Sequence, residues 1–218
     1  MIHLKKSKNV PPSLVVEKRK ASGTYRMDDV LSQLKTDFKN KCYICETKDL
    51  TSLNVEHFIA HEGNIDLKFD WDNLFLSCAH CNNLKSNKFN NLLNCTSEEY
   101  NIDERIKCVC TPFRFMEIEP LDDDAKTIET VRLLQDVYNG TTPLKKLESS
   151  NLMKSVWAEL NELIDLIQEY YCSEVGESRE YLTILLRNRL SRASAYASIK
   201  RWFVKESPVL ADLVILFD

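Results

Sequence analysis

The chain has 218 residues, of which 44% are hydrophobic and 28% are charged, and its formal net charge is −4. This length allows one or two domains with a hydrophobic core, and the composition is ordinary for a soluble globular protein. No stretch approaches the run of about twenty apolar residues that a membrane helix needs, and residues 1–6 lack the apolar core of a signal peptide. We therefore expect a cytoplasmic protein with no membrane partner. Its four glycines and six prolines favour helices over a sandwich or barrel.

Positive charge is concentrated in the N-terminal part of the chain. Residues 1–41 contain ten Lys or Arg and four Asp or Glu, a local charge of +6 against −10 in the remainder. We interpret residues 1–26, with Pro11-Pro12 and the run Lys18-Arg19-Lys20, as an extended or mobile basic arm. Such an arm could contact the phosphates of a nucleic acid, or it could be an ordinary solvated tail.

Three further segments follow in chain order. Residues 27–95 are predicted to begin with a short helix that Asp28 could cap, and they hold three of the four histidines and five of the eight cysteines. Residues 96–124 are predicted to be an irregular linker. Residues 125–218 are predicted to be helical and to offer a surface for docking on a partner, or to pack on themselves.

Apolar residues recur at helical spacing in the last segment. The predicted stripes are Ile128, Val131, Leu134 and Val137, ended by Asn139-Gly140; Met153, Val156, Trp157, Leu160, Ile164, Ile167 and Tyr171; and Leu182, Leu185, Leu186 and Leu190, in a helix that continues towards Trp202 and Phe203. Ser207-Pro208 is a start signal for a short last helix that ends near Phe217.

Two C-x-x-C pairs, Cys42 with Cys45 and Cys78 with Cys81, are separated by 32 residues. Each pair is suited to a tight knuckle whose two sulfurs face one centre, and two knuckles supply the four thiolates of a tetrahedral zinc site. Because four sulfurs leave no open coordination position, we expect this zinc to be structural. A redox function of the C-x-x-C pairs is the alternative.

The other four cysteines have no comparable spacing. They are Cys95, Cys108, Cys110 and Cys172. The Cys108-Val109-Cys110 pair could bind a metal, but free buried thiols are the preferred interpretation, and a cytoplasmic setting argues against disulfides.

A second set of residues lies between and directly after the knuckles. It comprises Glu56-His57, then Trp71-Asp72-Asn73-Leu74, then Cys81-Asn82-Asn83-Leu84-Lys85. The order E-H, N and C-x-x-C-N-x-x-K resembles the HNH endonucleases with a ββα-metal core, in the variant with asparagine as the third signature residue. The family usually has proline three residues after the catalytic histidine, where this chain has Ala60, which puts the shape of that loop in doubt.

The resemblance and the chemistry of phosphodiester hydrolysis together assign roles. His57 would be the general base, because imidazole titrates near neutral pH. Glu56 and Asn82 would hold a catalytic Mg²⁺ or Mn²⁺ through oxygen, and Asn73 would orient the His57 loop or its imidazole. Lys85 would contact a substrate phosphate.

Several of these assignments have alternatives. Asn83 or Asn87 could replace Asn82 as the metal ligand. His61 could contact a substrate phosphate or the waters of the metal, or it could stabilise the loop. His80, inside the second knuckle, is expected to be an exposed loop residue, and Trp71 a packing anchor.

The fuller pattern of residues 27–90 is similar to the HNH subunits of Septu-type antiphage systems, the PtuB subfamily, which also occur with retrons. This similarity implies an ABC-type ATPase, PtuA, as partner. In retron versions it implies a reverse transcriptase and its multicopy single-stranded DNA (msDNA).

We thus expect an α+β, predominantly α-helical protein with a zinc-stabilised ββα-metal HNH core at 27–95 and a helical region at 125–218. Its expected function is cleavage of nucleic acid, with DNA the usual substrate and RNA, including tRNA, an alternative. A non-catalytic zinc module that binds nucleic acid or protein is the competing hypothesis.

Overall fold

The computed structural model describes residues 1–50, 52–111 and 115–218. Its helices are α1 (Pro12–Lys18), α2 (Asp28–Asp37), α3 (Ile65–Phe69), α4 (Ala79–Lys85), α5 (Ala125–Asn139), α6 (Pro143–Cys172), α7 (Glu177–Leu190) and α8 (Ala197–Lys205). Its strands are β1 (Leu53–His57), β2 (Leu74–Cys78), β3 (Ile106–Cys110) and β4 (Met116–Pro120), and short 3₁₀ helices span Trp71–Asn73, Ile102–Glu104 and Pro208–Leu216.

A ββα unit forms the centre of residues 27–95. Strands β1 and β2 pair antiparallel, with Leu53 opposite Cys78 and His57 opposite Leu74. Helix α4 begins directly after β2, because Cys78 ends the strand and its sulfur caps the first turn by accepting from the Cys81 amide. The helix packs on both strands. The predicted fold class, a predominantly helical α+β protein with a ββα HNH core, is confirmed.

The N-terminal segment differs from the extended arm that we expected. Ile2 and Leu4 are buried, and the Leu4 amide donates to the Cys95 carbonyl at 2.9 Å. The ammonium of Lys6 donates to the Trp71 and Leu74 carbonyls and lies over the Trp71 ring. Ile2 and Leu4 alternate with more polar residues, as in a strand, but the lysine-rich composition makes this pattern difficult to recognise. The side chain of a lysine can also pack on an aromatic surface, as that of Lys6 does here.

The segment 96–124 is also more regular than a linker. Strands β3 and β4 form a hairpin in which Ile106, Cys108, Met116 and Ile118 face the core. Their outward neighbours Lys107, Glu117 and Glu119 complete a period of two. The hairpin packs on α5 and α8. Each strand has only five residues, so the alternation is difficult to recognise in a sequence with many charged residues nearby.

The helical region begins as expected, since α5 ends at Asn139 before Gly140. Helix α7, the third predicted helix of this region, does not continue to Trp202. It ends at Leu190, and α8 starts after Tyr196, which has a left-handed φ of 49°. The intervening carbonyls of Arg192 and Ser194 accept from the buried Lys41 ammonium at 2.6 and 3.0 Å. This tertiary contact compensates for the helical hydrogen bonds that are lost there.

Two hydrophobic clusters organise the molecule. The larger one joins the ββα unit to the helical region, because Tyr43 and Phe75 share it with Val137, Val156 and Ile199. The smaller one lies between the distal part of α6, α7, α8 and the last 3₁₀ helix. None of the helices in the described ranges is both long and apolar enough to cross a membrane.

Candidate functional site

The two knuckles meet at the base of the ββα unit. Cys42 and Cys45 lie in the turn after α2, where the Glu46 amide donates to the Cys42 carbonyl at 2.9 Å. The Tyr43 amide donates to the Leu76 carbonyl at 3.0 Å and so ties this turn to β2, the strand that carries Cys78. The 32 residues between the two pairs form β1, α3 and β2, and this fold brings the pairs together.

The four cysteine sulfurs lie within 4.8 Å of one another, and all four residues are buried. Cys45 Sγ and Cys78 Sγ are 3.8 Å apart. A tetrahedral zinc with Zn–S bonds of about 2.3 Å places neighbouring sulfurs about 3.8 Å apart. The donor set and its spacing therefore fit one zinc ion, as the sequence predicted.

Neighbouring groups attach this cluster to the rest of the molecule. The Thr47 hydroxyl lies 3.1 Å from Cys45 Sγ, and the Tyr138 hydroxyl of α5 donates to the Cys45 carbonyl at 2.8 Å. Hydrogen bonds of this kind orient metal ligands from outside the coordination sphere.

His80 is not the exposed loop residue that we expected. It lies in the first turn of α4 and its side chain is 16% exposed. Its Nδ1 is 2.8 Å from a Glu148 carboxylate oxygen, and its Nε2 is 3.0 Å from the Val137 carbonyl. The histidine therefore links the second knuckle to α5 and α6.

His57 ends β1 and is largely buried. Its Nε2 is 3.0 Å from the Lys68 carbonyl oxygen. Since a carbonyl can only accept, Nε2 must carry the proton, and in the neutral imidazole Nδ1 then holds the lone pair. Burial lowers the pKa of His57 below its usual value, which favours this neutral form.

Two aromatic rings flank the imidazole. The Tyr25 ring lies 4.5 Å from it, centroid to centroid, and the His61 ring 4.6 Å, both in edge arrangements. His61 Nδ1 also accepts from the Gly63 amide at 3.1 Å, so this residue closes the turn after β1 as well as contacting His57.

Asn73 holds the loop that follows His57 and does not contact the imidazole itself. Its Oδ1 accepts from the Ile59 amide at 2.7 Å, and its Nδ2 donates to the Ile59 and Leu67 carbonyls at 2.9 and 3.0 Å. Asn90, which we did not single out from the sequence, accepts from the Ala60 amide at 2.9 Å. Side chains therefore shape the loop that contains Ala60.

Glu56 and Lys85 form a buried ion pair between β1 and α4. Glu56 Oε1 is 2.9 Å from Lys85 Nζ, which also donates to the His57 carbonyl at 3.0 Å. Burial raises the pKa of Glu56 to about 7 even though the lysine opposes this shift. The lysine side chain is buried, in contrast to the surface position that we expected for a phosphate contact, because its helix face turns towards β1.

The second oxygen of Glu56 is buried and has no hydrogen-bond partner among the described residues. Asn82 lies one turn before Lys85 on α4, on the helix face turned towards Glu56. It is half-buried, whereas Asn83 and Asn87 are exposed. The buried hydroxyls of Tyr43 and Ser77 lie near the Glu56 carboxylate and oppose the rise of its pKa. A carboxylate oxygen and an amide oxygen are ligand types that suit a hard divalent cation.

Residues 42–88 match the model of the HNH endonuclease family. The match covers both knuckles and the whole ββα unit, and it leaves the N-terminal segment and the helices after α4 outside. No curated protein matches the chain. The family match and the four-cysteine cluster together support a nuclease or a nucleic-acid-binding metal module of the HNH type at residues 42–88.

Proposed function

We propose that this protein is a metal-dependent endonuclease that hydrolyses phosphodiester bonds of nucleic acid. The observation that carries the proposal is the state of His57. Its Nε2–H is held by the Lys68 carbonyl and its Nδ1 is left as the basic nitrogen, and Glu56, the preceding residue of β1, has a carboxylate oxygen without a hydrogen-bond partner among the described residues. A neutral, oriented imidazole can act as the general base in hydrolysis of a phosphodiester, and a carboxylate oxygen can help to hold the cation that such hydrolysis needs.

In this mechanism Nδ1 of His57 takes the proton of the attacking water. The Lys68 carbonyl keeps the ring in one tautomer and stabilises the imidazolium that forms. Asn73 holds the loop after His57. Glu56 and Asn82 would hold a Mg²⁺ or Mn²⁺ ion, which supplies charge compensation at the phosphate and the leaving oxygen. The zinc cluster holds the scaffold and takes no part in the chemistry.

The test is incubation of the protein with DNA and with total RNA in the presence of Mg²⁺ or Mn²⁺, followed by sequencing of the ends. We expect cleavage, with a loss of at least about a hundredfold in the His57→Ala variant, since general base catalysis contributes about 10² to 10⁴ in rate. Zinc content and the circular dichroism spectrum are the controls for the fold. Undiminished cleavage by a folded His57→Ala protein would refute the assignment.

The competing function is a non-catalytic module that binds nucleic acid. The Glu56–Lys85 pair favours it, because the lysine already neutralises the carboxylate that a cation would need. A wild-type protein that binds nucleic acid but cuts neither DNA nor RNA with either metal would support this alternative.

We also propose that the nuclease acts as the effector of an antiphage complex. The support is the residue-level similarity of positions 27–90 to the HNH subunits of Septu-type systems. Co-expression with an ABC-type ATPase encoded beside it, or with a retron reverse transcriptase and its msDNA, tests this. We expect cleavage that depends on such a partner. Cleavage at the same rate with and without the partner would refute the proposal. The same assays decide between DNA and RNA.

A further inference from the structure

The segment that precedes α2 is built into the His57 site. The Thr24 amide donates to a Glu17 carboxylate oxygen at 3.1 Å, and Lys68 Nζ donates to the Gly23 carbonyl at 3.1 Å. Gly23 lies so close to α1 that a Cβ there would be 1.9 Å from the Glu17 carbonyl oxygen. The chain between Gly23 and Arg26 is therefore held between α1 and α3, the helix that also carries the carbonyl partner of His57.

This placement brings Tyr25 against the catalytic imidazole. The tyrosine ring meets the His57 ring edge-on, with an angle of 69° between the ring planes. A flexible tail would not hold its side chain in this way. Tyr25 is half-buried, and its ring forms part of the wall of the site.

The Tyr25 hydroxyl in turn orients Arg26. It accepts from Nη2 of the guanidinium at 3.0 Å, and the guanidinium carbon lies 5.1 Å from the centre of the tyrosine ring. A single aromatic ring thus separates the guanidinium from the imidazole. Arg26 is exposed, and an arginine has five N–H donors, of which this hydrogen bond uses one.

Three other cations near the site already have partners. Lys85 binds Glu56, Lys68 binds the Gly23 carbonyl, and Lys18 binds Asp66 at 2.7 Å. Within the described ranges, Arg26 forms no ion pair with a carboxylate. It is therefore a held cation whose charge and donors remain available beside His57.

We propose that Arg26, oriented by the Tyr25 hydroxyl, binds a non-bridging phosphate oxygen of the nucleic acid that enters the His57 site. A guanidinium matches this ligand because its planar fork donates two parallel hydrogen bonds to phosphate oxygens. The inference rests on the proposed nuclease function, and it replaces Lys85 as the phosphate-binding residue of the site.

The experiment compares four variants with the wild type: Arg26→Ala, Arg26→Lys, Tyr25→Phe and Arg19→Ala. Arg19 is an exposed arginine at the end of α1 and serves as the matched control, since its removal changes the net charge equally. Cleavage is measured on a labelled DNA duplex and a labelled RNA hairpin with Mg²⁺. Binding is measured by fluorescence anisotropy of the same probes with Ca²⁺ at several salt concentrations.

We expect Arg26→Ala to lower kcat/KM and affinity by about tenfold to a hundredfold, the effect of one charge-assisted contact. The slope of log affinity against log salt should fall by about one. Arg26→Lys should recover part of the affinity. Tyr25→Phe, which keeps the ring but releases the guanidinium, should show a smaller loss. Arg19→Ala should stay within about twofold of the wild type.

Equal losses in Arg26→Ala and Arg19→Ala would overturn the inference, since they would indicate general attraction by a basic segment. Wild-type rates and affinity in Arg26→Ala would overturn it as well. If the wild type cut neither probe, the proposed function would fail, while Arg26-specific binding would still support the phosphate contact. The failures are thus distinguishable.

Discussion

The hydrogen bond from His57 Nε2 to the Lys68 carbonyl determines which nitrogen can act as a base. Because the bond fixes one tautomer, the lone pair is on Nδ1 of a ring that Tyr25 and His61 flank. Burial costs the imidazolium more than the neutral ring, so it lowers the pKa of His57. Both effects act in the direction that a general base needs at neutral pH.

This shift predicts the pH dependence of cleavage. The neutral imidazole is the active form, so activity falls as the pH falls through the pKa of His57. Since that pKa lies below the usual value of about 6.5, the rate should already have reached its plateau at pH 7. Single-turnover cleavage between pH 5 and 8, roughly the range in which histidine titrates, measures this.

The metal concentration provides the control for this profile. Burial raises the pKa of Glu56 to about 7, and a cation competes with that proton. Any part of the pH dependence that comes from Glu56 should move to lower pH as Mg²⁺ is raised, whereas the His57 limb should stay. A limb that stays at or above about pH 6.5 at saturating Mg²⁺ would contradict the shift assigned to His57.

At the level of elements, helix α4 serves both centres. Cys78 and Cys81 at its start belong to the thiolate cluster, and Asn82 and Lys85 on its next turn face β1. The zinc cluster therefore positions the helix that carries the proposed ligand Asn82. If the protein is the proposed nuclease, removal of the metal should lower cleavage by disturbing this helix, even though zinc is not expected to take part in the reaction.

The segment before α2 offers an element-scale prediction. In Gly23→Ala the new Cβ would meet the Glu17 carbonyl oxygen, which is backbone and cannot rotate away. The turn that carries Tyr25 and Arg26 must then move. We expect a destabilisation of about 1–3 kcal/mol and reduced cleavage, measured by thermal melting and by the nuclease assay.

Gly176→Ala is the matched control for that substitution. A Cβ at Gly176 meets nothing within 4 Å, but the residue has a φ of 146°. The variant should lose about 1 kcal/mol through backbone strain and keep full cleavage activity. If both variants cut equally well, the 23–26 segment does not support the site.

For the whole molecule, the shared hydrophobic core means that the HNH unit depends on chain segments outside residues 27–95. Ile2 and Leu4 from the N-terminal segment and Val137 from α5 are each at most 4% exposed within it. A fully buried aliphatic side chain contributes about 1.5–3 kcal/mol, and a typical domain is stable by only about 5–15 kcal/mol. Losing several such side chains therefore removes most of the stability of the unit.

We accordingly predict that a fragment of residues 27–95 does not fold, even with zinc. It should lack a cooperative thermal transition, while the full chain with zinc shows one that a thiol-competitive chelator abolishes. Circular dichroism and zinc stoichiometry test this. A fragment that binds one zinc and melts cooperatively would show that the HNH unit is an independent domain.

Local spacing in the sequence was sufficient for several features of this protein. The C-x-x-C pairs predicted the thiolate cluster, since a knuckle is a property of four adjacent residues. The helical stripe ending at Asn139-Gly140 predicted α5, because period and end signal lie within one element. The order of Glu56-His57, Asn73 and Asn82 predicted the ββα unit through its resemblance to the HNH endonucleases. The catalytic roles of these residues stay a prediction.

Only the tertiary structure decided what depends on distant partners. Lys85 turned out to be buried because Glu56, 29 positions away, faces it across the β1–α4 interface. The N-terminal residues became part of the core, and Tyr25 became a wall of the His57 site, through contacts with α3 and β1. The residue type alone predicts that a lysine or a tyrosine places its polar end in water. In the folded chain its position depends on which charge, carbonyl or ring lies opposite.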